Sequence, residues 1–537
     1  MNLEIEWLKT KWNAPEAALA EAMELFKAHE KGSTAFKLEA GISELCKTVA
    51  TRADGDPATP LVLVEHGGNT YLQTRWFFEA EKQIAARLLD LHSKPTRQVP
   101  AENLKKYFSK PGDQREAAAL ALSQNLAVIT GGPGTGKTYT LARILAILLE
   151  TEDLDPRQIQ LAAPTGKAAD RMREAVEQSS GDLGEDLKAK LQAVSASSKT
   201  IHALLGHHPG KNACSFNADQ RLPCRILIVD ECSMVDTLLW RALLEALPED
   251  CKLILLGDPN QLESVGRGSV FSSIARAPEL QSARKILTES RRFADRPAIA
   301  SFAKAIESQN VDGVLKLISE NKDSDCPQGL FWSESSDVPA VFQSLPPIVL
   351  KVIEDAAFAD SAETALEALG KVRILTAHRS SRRASVEEEI EKLFSGRRIG
   401  NRPVIIDRND PETGLRNGEV GVVHISPDQP RIVVFEKRDK NKPSFSCPLS
   451  KLPDHSPAWA ITIHRSQGSE YENVVVILPH KSESPLATRE LLYTAITRAK
   501  KNLFVFGPQE VIRQATLTPS NRTTLLEWQL GRRAQSS

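Results

Sequence analysis

The 537-residue chain is 41% hydrophobic and 26% charged, with 68 Lys and Arg against 69 Asp and Glu; at ~150 residues per domain it has room for three or four ordinary globular domains. It has no run of the ~18 apolar residues a membrane span needs, no basic start leading into an apolar secretion signal, and seven cysteines without a CxxC pair, so reduced thiols in the cytoplasm are expected rather than a zinc site or a disulfide framework. A net charge of −1 excludes a protein that coats nucleic acid by bulk charge, so any grip on DNA must be local or shared with partner subunits.

Residues 1 to about 112 read as a separate, mostly helical domain. PEAALAEAMELFKAHEKG carries Ala, Met, Leu and Phe at helical spacing and ends on a glycine. LVLVEHGGNTYL reads as two short strands about a Gly-Gly turn, and FFEAEKQIAARLLDLH as a helix. The prolines of SKPTRQVPAEN lead toward a boundary. From about 113 the pattern becomes α/β. LAVIT, IQLAA, RILIVD and KLILLGD are apolar throughout, as strands buried on both faces of a parallel sheet are. A second such series follows in VRILTA, WAITI, NVVVILP and NLFVFG. Two α/β halves in one chain predict two similar layered domains, residues 113–290, and 291–399 with 456–537. The second is interrupted over 400–455 by PVIID, EVGVVHIS and RIVVFEK, short strands of an all-β insert with Asn417-Gly418 as a hairpin signal. The terminal LGRRAQSS reads as a frayed tail.

Between LAVIT and a long helix lies GGPGTGKT, formed by Gly131, Gly132, Pro133, Gly134, Thr135, Gly136, Lys137 and Thr138. Glycines at this spacing let a loop turn its N–H groups onto phosphate oxygens, and the helix N-terminus adds partial positive charge. Lys137 then reaches the β and γ phosphates and Thr138 binds Mg²⁺, so ATP or GTP is the expected ligand. Asp230 and Glu231 end the strand RILIVD. In isolation they would be solvated loop acids as readily as a site. After a P-loop, Asp230 is expected to hold Mg²⁺ and Glu231 to act as general base toward water. Gln261, after KLILLGD, is placed to sense the γ-phosphate, and Arg292 and Arg498 to stabilise charge on the transferred phosphoryl group. Each of these three is otherwise an ordinary surface residue, and their order along the chain singles them out.

These segments, in this order, resemble superfamily 1 helicases. DQREAAALAL resembles the Q motif, APTGKAADR motif Ia and TIHALLG motif Ib; DECSM, GDPNQL, ESRRF, AITIHRSQGSEY and LLYTAITRAK resemble motifs II to VI. NRPVIIDRNDPETGLRNGEVGVV and PLVLVEHGGNTYLQTRWFFEAEKQIAARL are similar to the insert and the N-terminal domain of the RecD family. That family provides the α subunit of the RecBCD enzyme, exodeoxyribonuclease V, within superfamily 1B. The resemblance implies two RecA-like P-loop motor domains, a short 1B hairpin near 206–223, and an SH3-like barrel at 400–455. It implies ATP and Mg²⁺ as cofactors and 5′→3′ movement on single-stranded and duplex DNA ends. It implies RecB-like and RecC-like partners, the latter docking on residues 1–112, and no nuclease site in this chain. Gln114 is implied at the adenine, Gly468 and Glu470 near the nucleotide, and Thr165, His202, Thr462 and His464 along the single-strand track. Arg291 stands where relatives often carry an aromatic residue, and Arg292 is the favoured finger. A stand-alone RecD-like helicase, or a P-loop ATPase switch that does not translocate, is the alternative.

Overall fold

The computed structural model describes all residues except 1, 13, 15, 39–49, 54, 153, 182, 209–212, 290–295, 323–328, 378–380, 426–430, 437–443 and 536–537. The chain forms two compact units. The first comprises Met1–Pro259, Glu263–Glu289 and Asn521–Ser537; the second comprises Asn260–Leu262 and Ser290–Ser520.

The first unit is built on a six-stranded sheet in the order Arg284–Leu287, Leu126–Gly131, Lys252–Gly257, Ile226–Val229, Ile159–Ala163, Lys199–Thr200, every pairing parallel. Its central strands are buried along their whole length, which accounts for the unbroken apolar runs in the sequence. Period-two alternation sends successive side chains into different cores. Ala127, Ile129, Ile228 and Ile254 pack with Leu141, Ile144 and Leu148 of the helix Lys137–Thr151. Leu126, Val128, Leu227 and Leu255 belong to the other core, with Trp240 and Phe271.

That second core corrects two expectations. Residues 1–112 do not form a separate domain. The helix Arg75–Ser93 lays Ile84, Ala85, Leu88 and Leu91 against the same face of the motor sheet. The stretch before it is less helical than expected, because Leu61–His66 and Asn69–Thr74 pair antiparallel about Gly67-Gly68 and the strands Ala35–Lys37 and Ala50–Arg52 extend them to a four-stranded sheet. Nor do residues 521–537 belong to the second motor. Leu526–Ala534 is a helix whose Leu526 and Leu530 enter the core beside Leu88, so the tail expected to be frayed is helical as far as Ala534 and packs in the first unit. The approach to it is pinned by main-chain bonds from Thr34 and Ala35 to the Thr523 carbonyl, at 2.9 and 3.2 Å, and by an Arg522–Glu263 ion pair at 3.1 Å. Beneath it the buried Glu81 carboxylate accepts hydrogen bonds from Thr34, Gln73, Thr524 and the Leu525 N–H.

The second unit holds a five-stranded parallel sheet in the order Leu330–Ser333, Ala499–Phe506, Tyr471–Ile477, Val372–Thr376, Ala460–Thr462. A separate antiparallel sheet of five strands runs Ser446–Pro448, Ile432–Phe435, Val420–His424, Asn401–Ile406, His455–Pro457. It has its own small core of Val404, Ile406, Leu415, Val423, Val433 and Phe435. Asn417-Gly418 does not join two strands directly. Gly418, at φ +87°, makes a turn late in the longer connection between Asn401–Ile406 and Val420–His424. Among the described residues no helix is long and apolar enough to cross a membrane.

Candidate active site

In the first unit, the P-loop leaves the C-terminal end of Leu126–Gly131 and runs into the helix Lys137–Thr151. Gly134 and Gly136 take φ of +76° and +85°, a region in which a side chain is strained. At Gly136 a Cβ would also stand 2.3 Å from Gln114 Nε2. Gln114, in the helix Asp113–Ser123, donates that amide to the Thr135 carbonyl at 3.0 Å, so the residue expected at the adenine is tied to the phosphate loop itself. Lys137 Nζ donates to the carbonyls of Gly131 at 2.5 Å and Gly132 at 3.2 Å. These are neutral acceptors, which an anionic phosphate oxygen outcompetes. Thr138 is partly exposed in the first turn of the helix.

Two strands away, Ile226–Val229 delivers Asp230 and Glu231 to the same edge of the sheet. The Asp230 N–H donates to the Ala162 carbonyl at 3.0 Å. Burial and the neighbouring Glu231 carboxylate push the Asp230 pKa up to about 6, while the Lys137 ammonium pulls it down. Lys137 and Asp230 therefore share one electrostatic neighbourhood. Glu231 adopts φ 51°, ψ 41°, a left-handed conformation shared by only one other non-glycine among the described residues, Gln309. Such a backbone costs ~1–3 kcal/mol and is held by its surroundings, here including a bond from the Glu231 N–H to Asp230 Oδ1 at 2.8 Å.

In the second unit, Gln261 and Arg498 meet. Arg498 is 3% exposed, and its Nη2 donates to Gln261 Oε1 at 2.9 Å. Its Nε and Nη1 donate to the carbonyls of Thr494 and Ser469 at 3.0 and 3.2 Å. Gly468 turns at φ +67°, and Glu470 lies 3.7 Å from Lys500. Arg291 and Arg292 lie outside the described residues.

The four residues expected on the DNA track differ in setting. Thr165 caps the helix Gly166–Gln178 by accepting from the Ala168 N–H at 3.2 Å. His202 is exposed, with its ring 5.4 Å from that of His207. His207–His208 pairs antiparallel with Ala213–Cys214, within the stretch expected to form the 1B hairpin. His464 is partly exposed, but Thr462 is 1% exposed and accepts from the Arg465 N–H at 3.4 Å. The Thr462 hydroxyl is thus engaged by the turn that follows it. Sequence reasoning missed Thr494 and Gln467, both buried against the backbone of Leu262, the residue after Gln261. The spacing of Thr494 from Arg498, one helical turn, was the available signal.

A glycine-rich loop and an acidic pair at the C-terminal edge of a parallel sheet, followed by a second parallel-sheet unit, define a P-loop ATPase of the helicase class. Consistent with this, residues 114–267 match an AAA domain and residues 457–506 a UvrD-like helicase C-terminal domain. The RecBCD enzyme subunit RecD of Mycolicibacterium smegmatis is 35% identical over 489 residues, covering 88% of this chain and 84% of its own length. That of Haemophilus influenzae is 30% identical, covering 79% and 74%. An ATP-dependent RecD2 DNA helicase of Deinococcus radiodurans is 27% identical, over 83% of this chain and 57% of its own length. The chain belongs to the RecD family.

Proposed function

We infer that this RecD-family chain is an ATP-dependent 5′→3′ DNA helicase. It serves as a motor subunit of a RecBCD-type helicase-nuclease (exodeoxyribonuclease V) that processes double-strand breaks in the cytoplasm. The observation that carries the reading is the P-loop and the Asp230-Glu231 pair at one edge of one sheet, with Lys137 near enough to act on the Asp230 carboxyl. ATP would lay its phosphates on the N–H groups of Gly131 to Thr138, with the adenine beside Gln114. Lys137 would exchange the Gly131 and Gly132 carbonyls for the β and γ phosphates. Thr138 and Asp230 fit the holding of Mg²⁺, which when bound neutralises phosphate charge. Glu231 takes a proton from the attacking water and Gln261 orients that water. Arg498 and Arg292 stabilise charge on the transferred phosphoryl group, and Gly468 and Glu470 adjoin the nucleotide. Thr165, His202, His464 and Thr462 are assigned to the DNA track, Thr462 through the turn it holds. The antiparallel sheet within 401–457 would cover the strand as an SH3-like element. The segment before the first motor sheet would dock a RecC-like subunit, with cutting left to a RecB-like one.

The test is to purify the tagged chain with its partners and follow ATP-dependent streptavidin displacement from single-strand ends of either polarity. Displacement only by 5′→3′ movement, lost in a Lys137→Ala complex, is expected. No displacement by the assembled complex would sink the motor reading. A stand-alone helicase similar to the Deinococcus protein is the second reading. The higher identity to the mycobacterial subunit, 35% against 27% for that relative, favours the complex.

A further inference from the structure

We propose that Thr494 and Gln467 are positioning residues for Gln261, and that they act by gripping the main chain of Leu262. The inference rests on the ATP-hydrolysing reading of the site and adds to it two side chains that act through a neighbouring peptide. Leu262 follows Gln261 directly. Its N–H donates to Thr494 Oγ1 at 2.7 Å and its C=O accepts from Gln467 Nε2 at 2.6 Å. The Leu262 side chain packs into the core of the second unit. Leu262, Thr494 and Gln467 are all buried, so the residue after Gln261 is held through its N–H, its C=O and its side chain.

Thr494 has a second part in the same contact. Its carbonyl accepts from Arg498 Nε at 3.0 Å, and Arg498 Nη2 reaches Gln261 Oε1 at 2.9 Å. One residue on the helix Arg489–Ile496 therefore holds both members of the Gln261–Arg498 pair, one through its hydroxyl and the other through its main chain. A valine would fill the same space. The hydroxyl is what distinguishes threonine there, and it accepts a hydrogen bond from a residue 232 positions away. A buried N–H deprived of its acceptor keeps its full desolvation penalty, which favours movement of the main chain off that position. A group that orients water tolerates a displacement of only ~0.5 Å.

The experiment uses the full-length chain with the partners it is purified with, and oligo(dT) as the DNA. For Thr494→Val we expect the kcat of DNA-stimulated ATP hydrolysis to fall about tenfold or more, with KM for ATP within about twofold. Thr494→Ser restores the hydroxyl and should return kcat to within about twofold of wild type. Gln467→Leu, which removes the other grip, should repeat the Thr494→Val result. Because Thr494 acts through Gln261, the double variant Thr494→Val/Gln261→Ala should be no slower than Gln261→Ala alone. Hydrogen exchange at the Leu262 amide should accelerate about tenfold or more in Thr494→Val. Unchanged exchange at that amide, or additive losses in the double variant, would overturn the proposal. Should Thr494→Val fail to fold, the Gln467→Leu and Thr494→Ser variants still decide it. Absence of DNA-stimulated turnover in the wild-type protein would instead overturn the helicase reading, with Leu262 exchange still reporting on the grip.

Discussion

Lys137 spends its ammonium on two loop carbonyls and lies close enough to Asp230 to lower that carboxyl's pKa. It contributes to no core, so Lys137→Ala should leave the melting temperature nearly unchanged while steady-state ATP turnover falls about 10²-fold or more. Near-wild-type turnover would remove the P-loop from the mechanism. Asp230 makes the opposite case, a group whose chemistry opposes stability. Its folded pKa of about 6 lies above the ordinary 3.8. The native state therefore holds the proton more tightly than the unfolded chain between those values. The resulting stability is fully present below pH 3.8 and is lost as pH rises through about 6. Asp230→Asn removes the charge, so at pH 7.5 the variant should be more stable than wild type by ~1–3 kcal/mol. Calorimetry from pH 7.5 down to 4 should show that advantage shrinking, and a constant offset would contradict the linkage. Turnover should be lost throughout. The P-loop and the acidic pair were legible in the sequence because phosphate chemistry fixes both residue type and spacing. Thr494 and Gln467 were harder to find, since their bonds to the Leu262 peptide span 232 and 205 positions and the spacing of Thr494 from Arg498 was the one local trace.

At the scale of elements, LAVIT, IQLAA, RILIVD and KLILLGD became strands because parallel pairing buries both faces and selects apolar residues at nearly every position, Gln160 being a partly exposed exception. The helix Leu526–Ala534 escaped because it offers only Leu526 and Leu530 as a buried pair one turn apart, beside Arg532 and Arg533. Its packing partner, the helix Arg75–Ser93, is more than 400 residues earlier, and local periodicity carries nothing about that distance. The same blindness made residues 1–112 look independent. Leu530 is fully buried, and Leu530→Ala should destabilise the first unit by ~2–5 kcal/mol. Limited proteolysis should then cut residues 75–93 faster, with the second unit's fragments unchanged. Equal resistance to wild type would mean that the helix contributes nothing to that core.

For the whole molecule, 68 basic against 69 acidic residues leave no bulk attraction to DNA. Binding must come from a restricted set of phosphate contacts and base stacking. Affinity for oligo(dT) and for a mixed-sequence strand should be similar, and both should fall several-fold to tenfold or more between 50 and 200 mM salt. Fluorescence anisotropy at a series of salt concentrations measures this, and a salt-independent affinity would rule out phosphate contacts as its source.

The return of residues 521–537 to the first unit sets an order of events during synthesis. The sheet bearing the P-loop leaves the ribosome early, yet Leu526 and Leu530, which complete one of its cores, emerge only after the whole of the second unit. Until then Leu88, Leu91 and the sheet face beneath them lack part of their cover, and the Glu81 carboxylate lacks two of its four donors, Thr524 and the Leu525 N–H. A nascent chain halted before residue 521 would therefore lack Leu526 and Leu530 in that core and two donors at Glu81.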